Sequence, residues 1–405
     1  MTSILAPKTT LTRSQVLTMA IATGTTIANL YYSQPILGAM AATFGASSAE
    51  AGSVPLLAQA GFAIGLIFVA PLGDLYDRKR LVIALEIMLF LALASFSMAP
   101  SLMALRICAF LVGVSATSVQ VVVPLAATLA SPERRGQVVS LVFTGTLMGI
   151  LSARIVAGIV ADTWGWRIIF ELSAIAAACV AILIAVVIPA EGRRQGPPYL
   201  KLLASTAAQW TRFATLRRVS ILGALTFGVF CAYWTTLTFQ LESAFGFDAW
   251  RIGLFGIAAM AGAVLSPFAG KMADRIHPSS MQLATLTTLL LGTLLAAIGR
   301  ESLSLLVLAT IVIDVGMQTT QVSSLAQIYA LDPLANSRIN TVYIASFFMG
   351  GALGTALGIL AWNHGYWVAV CALLAAMSAV ALCIAVRSVM LRKASDASRD
   401  EREQD

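Results

Sequence analysis

The sequence predicts an all-α integral membrane protein, with twelve transmembrane helices in two pseudo-symmetric six-helix bundles. Three observations carry this. Of the 405 residues, 59% are hydrophobic and only 11% are charged, whereas charged side chains make up about 25% of an ordinary soluble domain. The apolar residues gather into twelve runs of membrane length, a hydrocarbon core of roughly 30 Å needing about 20 residues per helix. The string Gly73-Asp-Leu-Tyr-Asp77-Arg78 also returns as Gly270-Lys-Met-Ala-Asp274-Arg275, 197 residues later.

Residues 1–14 are polar, with Lys8 and Arg13. The first span, 15–37, is long and contains Asn29, Gln34 and Pro35, so a cleaved secretory signal is not expected. The second span, 51–72, closes on the Gly73 loop. The third, 81–99, carries Glu86 little more than a turn inside, and the fourth, 102–129, carries Arg106 near its outer end and Gln120 further in. The fifth, 138–161, holds Gly145, Gly149 and Arg154, and Trp164-Gly165-Trp166 separates it from the sixth, 168–189. Beyond a basic connection the seventh span, 219–241, holds Tyr233-Trp234, and the eighth, 251–269, closes on the Gly270 loop. The ninth is 281–299, and the tenth, 303–330, contains Asp314, Gln318 and Gln321. The eleventh, 339–361, repeats glycine at 350, 354 and 358, and His364-Gly365-Tyr366 leads into the twelfth, 366–388.

The net charge of +7 is segregated. With the N-terminus assigned to the cytoplasm, all but five of the 26 Lys and Arg lie on the inner side; Arg167, Arg251 and Arg300 lie at outer loops or helix ends, and Arg106 and Arg154 inside helices. This is the positive-inside bias, so both termini are predicted cytoplasmic, and the charge speaks for topology rather than for nucleic acid. The expected organisation is an N-terminal six-helix bundle at 1–189, a cytoplasmic linker at 190–218, a C-terminal bundle at 219–392 and a disordered cytoplasmic tail at 393–405 that lacks large apolar side chains. In the linker, Gly196-Pro197-Pro198 stops a continuous helix. Leu203, Trp210, Phe213 and Leu216 make an apolar stripe among Arg193, Arg194, Lys201, Arg212, Arg217 and Arg218, which suits either an interfacial helix on an anionic leaflet or a solvated connector. The five cysteines, Cys108, Cys179, Cys231, Cys371 and Cys383, have no metal-ligand spacing and read as small core residues.

The halves match beyond the loop string. Tyr31-Tyr32 pairs with Tyr233-Trp234, Gln120 with Gln321, and Trp164-Gly165-Trp166 with His364-Gly365-Tyr366, at offsets between 197 and 202. This plan resembles the major facilitator superfamily, built of two parallel six-helix repeats with a site near the bilayer midplane. Asn29-Leu-Tyr-Tyr-Ser-Gln-Pro35 and Ser337-Arg338-Ile-Asn-Thr-Val-Tyr343 are similar to the twelve-helix bacterial drug/proton antiporter-like and sugar-efflux-like branch. Two departures stand out: Gly149 is followed by Ile150, with no glycine-proline signature in the fifth span, and the first span has no acid.

The resemblance implies a secondary active transporter working by alternating access in a bacterial inner membrane, with proton-coupled efflux of a small organic solute or drug as the first expectation. Uptake or facilitated export of a small polar metabolite is the alternative, and a non-transporting sensor a third. A small-molecule substrate and membrane lipid are the expected partners, nucleic acid is not, and the protein is expected to act as a monomer. No cofactor is expected beyond the proton gradient. An enzyme is not expected: His277 and His364 stand alone, and no phosphate-binding glycine loop or nucleophile with a base is present.

A charged side chain inside hydrocarbon costs at least about 2.5 kcal/mol, which a counter-charge or a bound proton removes. Asp314 lies about eleven residues from the outer end of the tenth span and Arg154 about seven from that of the fifth, depths that differ by about 6 Å at a rise of 1.5 Å per residue. Asp314 is therefore expected to alternate between an ion pair with Arg154 and a bound proton, the alternative being a permanent structural bridge. Asn29, Tyr31, Tyr32, Gln34, Gln120, Tyr233, Trp234, Gln318 and Gln321 are the substrate-cavity candidates, with side chains that both stack and hydrogen-bond, or serve as interhelical contacts.

By resemblance, Gly73, Asp77, Arg78, Lys79 and Arg80 with Gly270, Asp274 and Arg275 form a cytoplasmic gate, Asp77 lying near the positive end of the eleventh helix. The second copy lacks most of the cations. Gly61, Gly65, Gly145, Gly149, Gly350, Gly354 and Gly358 put small residues on single helix faces, and the resemblance assigns them to the interface between halves. Glu86 reads as a member of the gate's charge network and Arg106 as a snorkelling side chain.

Overall fold

The structure, a computed structural model, describes residues 11–190, 198–258, 260, 278–332 and 335–404. Every regular element among them is helical. In chain order these are α1 (Arg13–Ala28), α2 (Leu37–Phe44), α3 (Ser48–Ala51), α4 (Ser53–Phe68), α5 (Arg78–Ser97), α6 (Leu102–Ala116), α7 (Ser118–Leu129), α8 (Arg135–Trp164), α9 (Trp166–Val187), α10 (Tyr199–Arg212), α11 (Ala214–Phe245), α12 (Ala249–Ala258), α13 (Pro278–Ile298), α14 (Leu303–Tyr329) and α15 (Asn336–Gln404). Tight 3-10 turns at Gln34–Ile36 and Ala70–Asp74 contain Pro35 and Pro71 near their starts. Nine helical segments among the described residues are long and apolar enough to cross a membrane. One of them, Asn336–Met390, is 55 residues long and breaks at Gly365 and at Tyr366, whose φ is +48°.

Several spans differ from the continuous runs that the sequence suggests. The first is interrupted: α1 ends at Ala28, and the chain passes through turns before α2 begins at Leu37. Asn29 causes part of this by turning its amide back onto the carbonyls of Thr25 and Thr26, at 2.9 and 3.2 Å. The fourth run breaks between α6 and α7 at Thr117, whose hydroxyl bonds the Val114 carbonyl at 2.6 Å. The terminal segment departs from the expected disorder, since α15 continues as a helix to Gln404. Beside Ser and Asp it carries the good helix formers Ala, Arg, Lys, Glu and Gln, and it extends a helix already nucleated, which removes the costliest step of helix formation.

Two compact units result. The first comprises Met1–Ser205 with Phe247–Gly256, and the second Thr206–Gly246 with Ile257–Asp405. The division falls within α10, inside the expected linker, and assigns the start of the eighth span to the first unit. The core of the first unit joins Met19 of α1, Val82 of α5, Leu125 of α7, Val142 of α8 and Ile184 of α9, all essentially sealed from solvent. In the second unit the stacked rings of Phe227 and Phe347, 4.0 Å apart, tie α11 to α15.

One close crossing occurs in both units. In the first, Gly145 and Gly149 of α8 lie against the backbone of Ala20 and Gly24 of α1, so that a Cβ on either glycine would overlap a main-chain carbonyl. In the second, Gly350 and Gly354 of α15 lie in the same way against Ala224 and Gly228 of α11. Small residues let two backbones approach without side chains between them. Gly61 meets the Phe110 backbone of α6, Gly65 meets Val114 and Thr117, and Gly358 meets Ala232. All seven glycines thus pack against helices of their own unit.

Candidate functional site

In the first unit the site centres on Arg154, which α8 holds 2% exposed. Its Nε donates to Oε1 of Gln34 at 2.8 Å, and its guanidinium lies 5.0 Å from the centre of the Tyr31 ring. Gln34 reaches it from the 3-10 turn that follows the interruption of α1, and is itself 1% exposed. The break in the first span therefore positions the arginine's partners. Asn29 is committed to the fold: besides capping α1, its Oδ1 accepts from the Ser173 hydroxyl of α9 at 2.7 Å. Tyr32 faces a lateral groove of about 400 Å³ along α1 and α8, also lined by Leu17, Ile21, Thr25, Met148 and Ser152. Gln120 is half-buried on α7.

The second unit places Asp314, 2% exposed, in the middle of α14. The indole Nε1 of Trp234, on α11, donates to its Oδ1 at 3.3 Å. Next to it Tyr233, fully enclosed, shares a 2.8 Å hydrogen bond with Thr310, one turn before Asp314. Gln318 and Gln321 are half-buried further along α14.

The residues of the Gly73 loop bond within their own unit. Asp77 caps α5 by accepting from the Arg80 N–H at 3.1 Å, as suits a carboxylate at a positive helix end. Arg78, only 8% exposed, donates through Nε to the Gly73 carbonyl at 3.1 Å, pairs with Asp74 at 3.0 Å and bonds Thr128 of α7 at 3.1 Å. Lys79 donates to the Ala185 carbonyl of α9 at 2.7 Å. Gly270, Asp274 and Arg275 lie outside the described residues.

Glu86 is the residue whose setting the sequence reading missed. It is 1% exposed inside α5, and its Oε1 accepts from Thr26 of α1 at 2.9 Å and from Ser118 of α7 at 2.6 Å. It belongs to the interior of the bundle rather than to the loop network. The signal was present in the sequence: one acid in an otherwise apolar run.

The pattern of the Major Facilitator Superfamily matches residues 19–354. The chain belongs to the major facilitator superfamily. An uncharacterized transporter, YgaY, of Escherichia coli is 34% identical over 366 residues, covering 90% of this chain and 93% of its own. The inner membrane transport protein YnfM of Escherichia coli (strain K12) is 26% identical over 370 residues, 89% of this chain and 87% of its own. Solved transporters share the fold. The peptide transporter POT in complex with sulfate superposes with a TM-score of 0.73 at 15% identity, covering 95% of both chains. A variant of the nucleoside transporter NupG does so with a TM-score of 0.71 at 15% identity, over 92% of this chain and 99% of its own.

Proposed function

We propose that this superfamily transporter works by alternating access and couples proton movement to the export of a small organic solute, with Asp314 as the proton-carrying group. The observation that carries the reading is the burial of this carboxyl within a membrane-spanning helix, beside the Trp234 indole. An acid in that position is expensive as an anion unless it is paired, and intramembrane acids of this kind mark ion pathways. In the proposed cycle Asp314 exchanges an ion pair with Arg154 for a proton, so that each conformation favours one state.

Twelve crossings suit this reading. The nine long segments among the described residues, with Asn336–Met390 counted as two at its break, would reach twelve with the interrupted first span and the expected eighth, whose described part is α12. The segregated cations favour both termini on the cytoplasmic side, as expected of a transporter in a bacterial inner membrane.

For the solute, the groove beside Tyr32 favours an amphipathic compound over a sugar. Its walls are aliphatic, relieved by the hydroxyls of Thr25, Thr144, Ser152 and Tyr32, a lining typical of small-molecule sites in which a few polar groups fix orientation. The test is accumulation of a panel of fluorescent amphipathic compounds in cells carrying the wild type, Asp314→Asn or no transporter. Export of at least one compound by the wild type alone supports the reading; equal export by Asp314→Asn sinks the role of Asp314.

A further inference from the structure

We propose that Glu86 is a second proton-binding site, whose proton occupancy sets the packing of α1 and α7 against α5. The effect on transport rests on the transporter reading above, but the site itself does not.

Glu86 sits in a 20-residue apolar span and is 1% exposed. Both hydrogen bonds fall on one oxygen, from Thr26 at 2.9 Å and Ser118 at 2.6 Å. The other oxygen, Oε2, is buried and makes no hydrogen bond.

Among the described residues no cation pairs with this carboxyl. Arg78 is engaged by Gly73, Asp74 and Thr128, and Lys79 by Ala185. Arg80 is exposed. Of the elements packed on α5, α6 turns Arg106 towards Ser53 and the Glu50 carbonyl, and its Cys108 is a buried thiol. The sequence of α7 contains no ionisable side chain. On α9, Glu171 and Cys179 are exposed, and Arg167 bonds the carbonyls of Ser97 and Ala99. Arg13 of α1 is exposed, a whole helix away from Thr26. A carboxylate enclosed in this way carries an uncompensated charge, and a proton removes it.

The two hydroxyl donors stand where helices are interrupted. Thr26 is two residues from the end of α1, and Ser118 is the first residue of α7, immediately after the break at Thr117. The carboxyl therefore links two helix ends. As an anion it is an acceptor only and holds both hydroxyls; with a proton it becomes a donor as well. A proton on Oε2 strips the charge assistance from both bonds to Oε1, and the Thr26 hydroxyl turns instead to the carbonyl of Ala22, four residues back in α1. Thr25 already does so towards Ile21 at 2.9 Å, and Ser115 towards Leu111 at 2.7 Å. The proton enters from water and returns to it, with no other bond made or broken.

The experiment is pH-difference infrared spectroscopy on the purified full-length protein in lipid nanodiscs, with no solute and no gradient. The wild type should show a carboxylic-acid C=O band that titrates, absent from Glu86→Gln and retained in Asp314→Asn. Ser118→Ala and Thr26→Val remove one donor from the anion each and should raise the proton affinity behind that band by about tenfold; they answer the question even where Glu86→Gln fails to fold. Identical difference spectra for wild type and Glu86→Gln, or a titration that neither hydroxyl variant moves, overturn the proposal. Because nothing is transported in this assay, a failure of the transporter reading leaves its result intact.

Discussion

The indole N–H of Trp234 donates to the carboxyl of Asp314 across 3.3 Å, and each of the two side chains is 2% exposed. Eighty residues of chain separate them, and α11 and α14 bring them together. In the proposed cycle the indole is therefore a partner of the carboxyl that Asp314 uses.

Replacing the indole tests this directly. Trp234→Phe keeps an aromatic ring of similar packing and removes the donor. A hydrogen bond to a charged group is worth about 1.5–3 kcal/mol, so the variant should slow transport by about tenfold or more. The check is initial transport rate, normalised to the amount of protein in the membrane and read beside Asp314→Asn.

Arg154 should tolerate no other cation. Its Nε bond to Gln34 and its place over the Tyr31 ring suit a guanidinium. Arg154→Lys is expected to reduce transport by about tenfold or more, while Tyr31→Phe, which keeps the ring face, should stay near wild type. Transport rates normalised to the amount of protein in the membrane decide the matter.

The paired glycine crossings should be the least tolerant positions for bulk. At Gly149 and Gly354 the first added carbon already meets backbone that has no side chain to move aside. Gly149→Leu and Gly354→Leu should each cost about 3 kcal/mol or more, lowering the melting temperature in detergent. At Gly136, near the start of α8, an added Cβ would meet nothing within 4 Å, so Gly136→Ala should leave stability unchanged or slightly raised.

The loop should depend on Arg78 more than on its neighbour. Arg78→Ala releases Gly73, Asp74 and Thr128 together and should destabilise the first unit by about 2 kcal/mol, exposing residues 73–77 to proteases. Lys79→Ala loses one bond at an exposed site and should change stability by about 0.5 kcal/mol or less. Limited proteolysis of both variants in membranes separates the two.

Much of the fold was legible because lipid imposes a simple rule: long apolar runs become helices. Asp314 and Arg154 stood out for the same reason, as charges in apolar runs. Their partners were not legible, since Trp234 and Gln34 are joined to them only by helix register across 80 and 120 residues. The interruption at Thr117 carries no proline or glycine; a side-chain hydroxyl turning onto the Val114 carbonyl marks it, and threonine is too common in membrane helices to announce this. Glu86 was visible as a buried acid, but its depth and its two hydroxyl partners, 60 and 32 residues away, appear only when three helices come together. The glycine motifs of α8 and α15 were visible as well, but the opposing backbones of Gly24 and Gly228 were not.

The central claim is that Asp314 carries the proton that drives export. The most direct measurement is proton flux in everted membrane vesicles acidified by respiration, with wild type and Asp314→Asn present in equal amounts and amphipathic compounds added one at a time. At least one compound should discharge the acid interior with the wild type and fail to do so with Asp314→Asn. Equal discharge by both proteins, or no discharge by any compound with correctly inserted wild type, would contradict it.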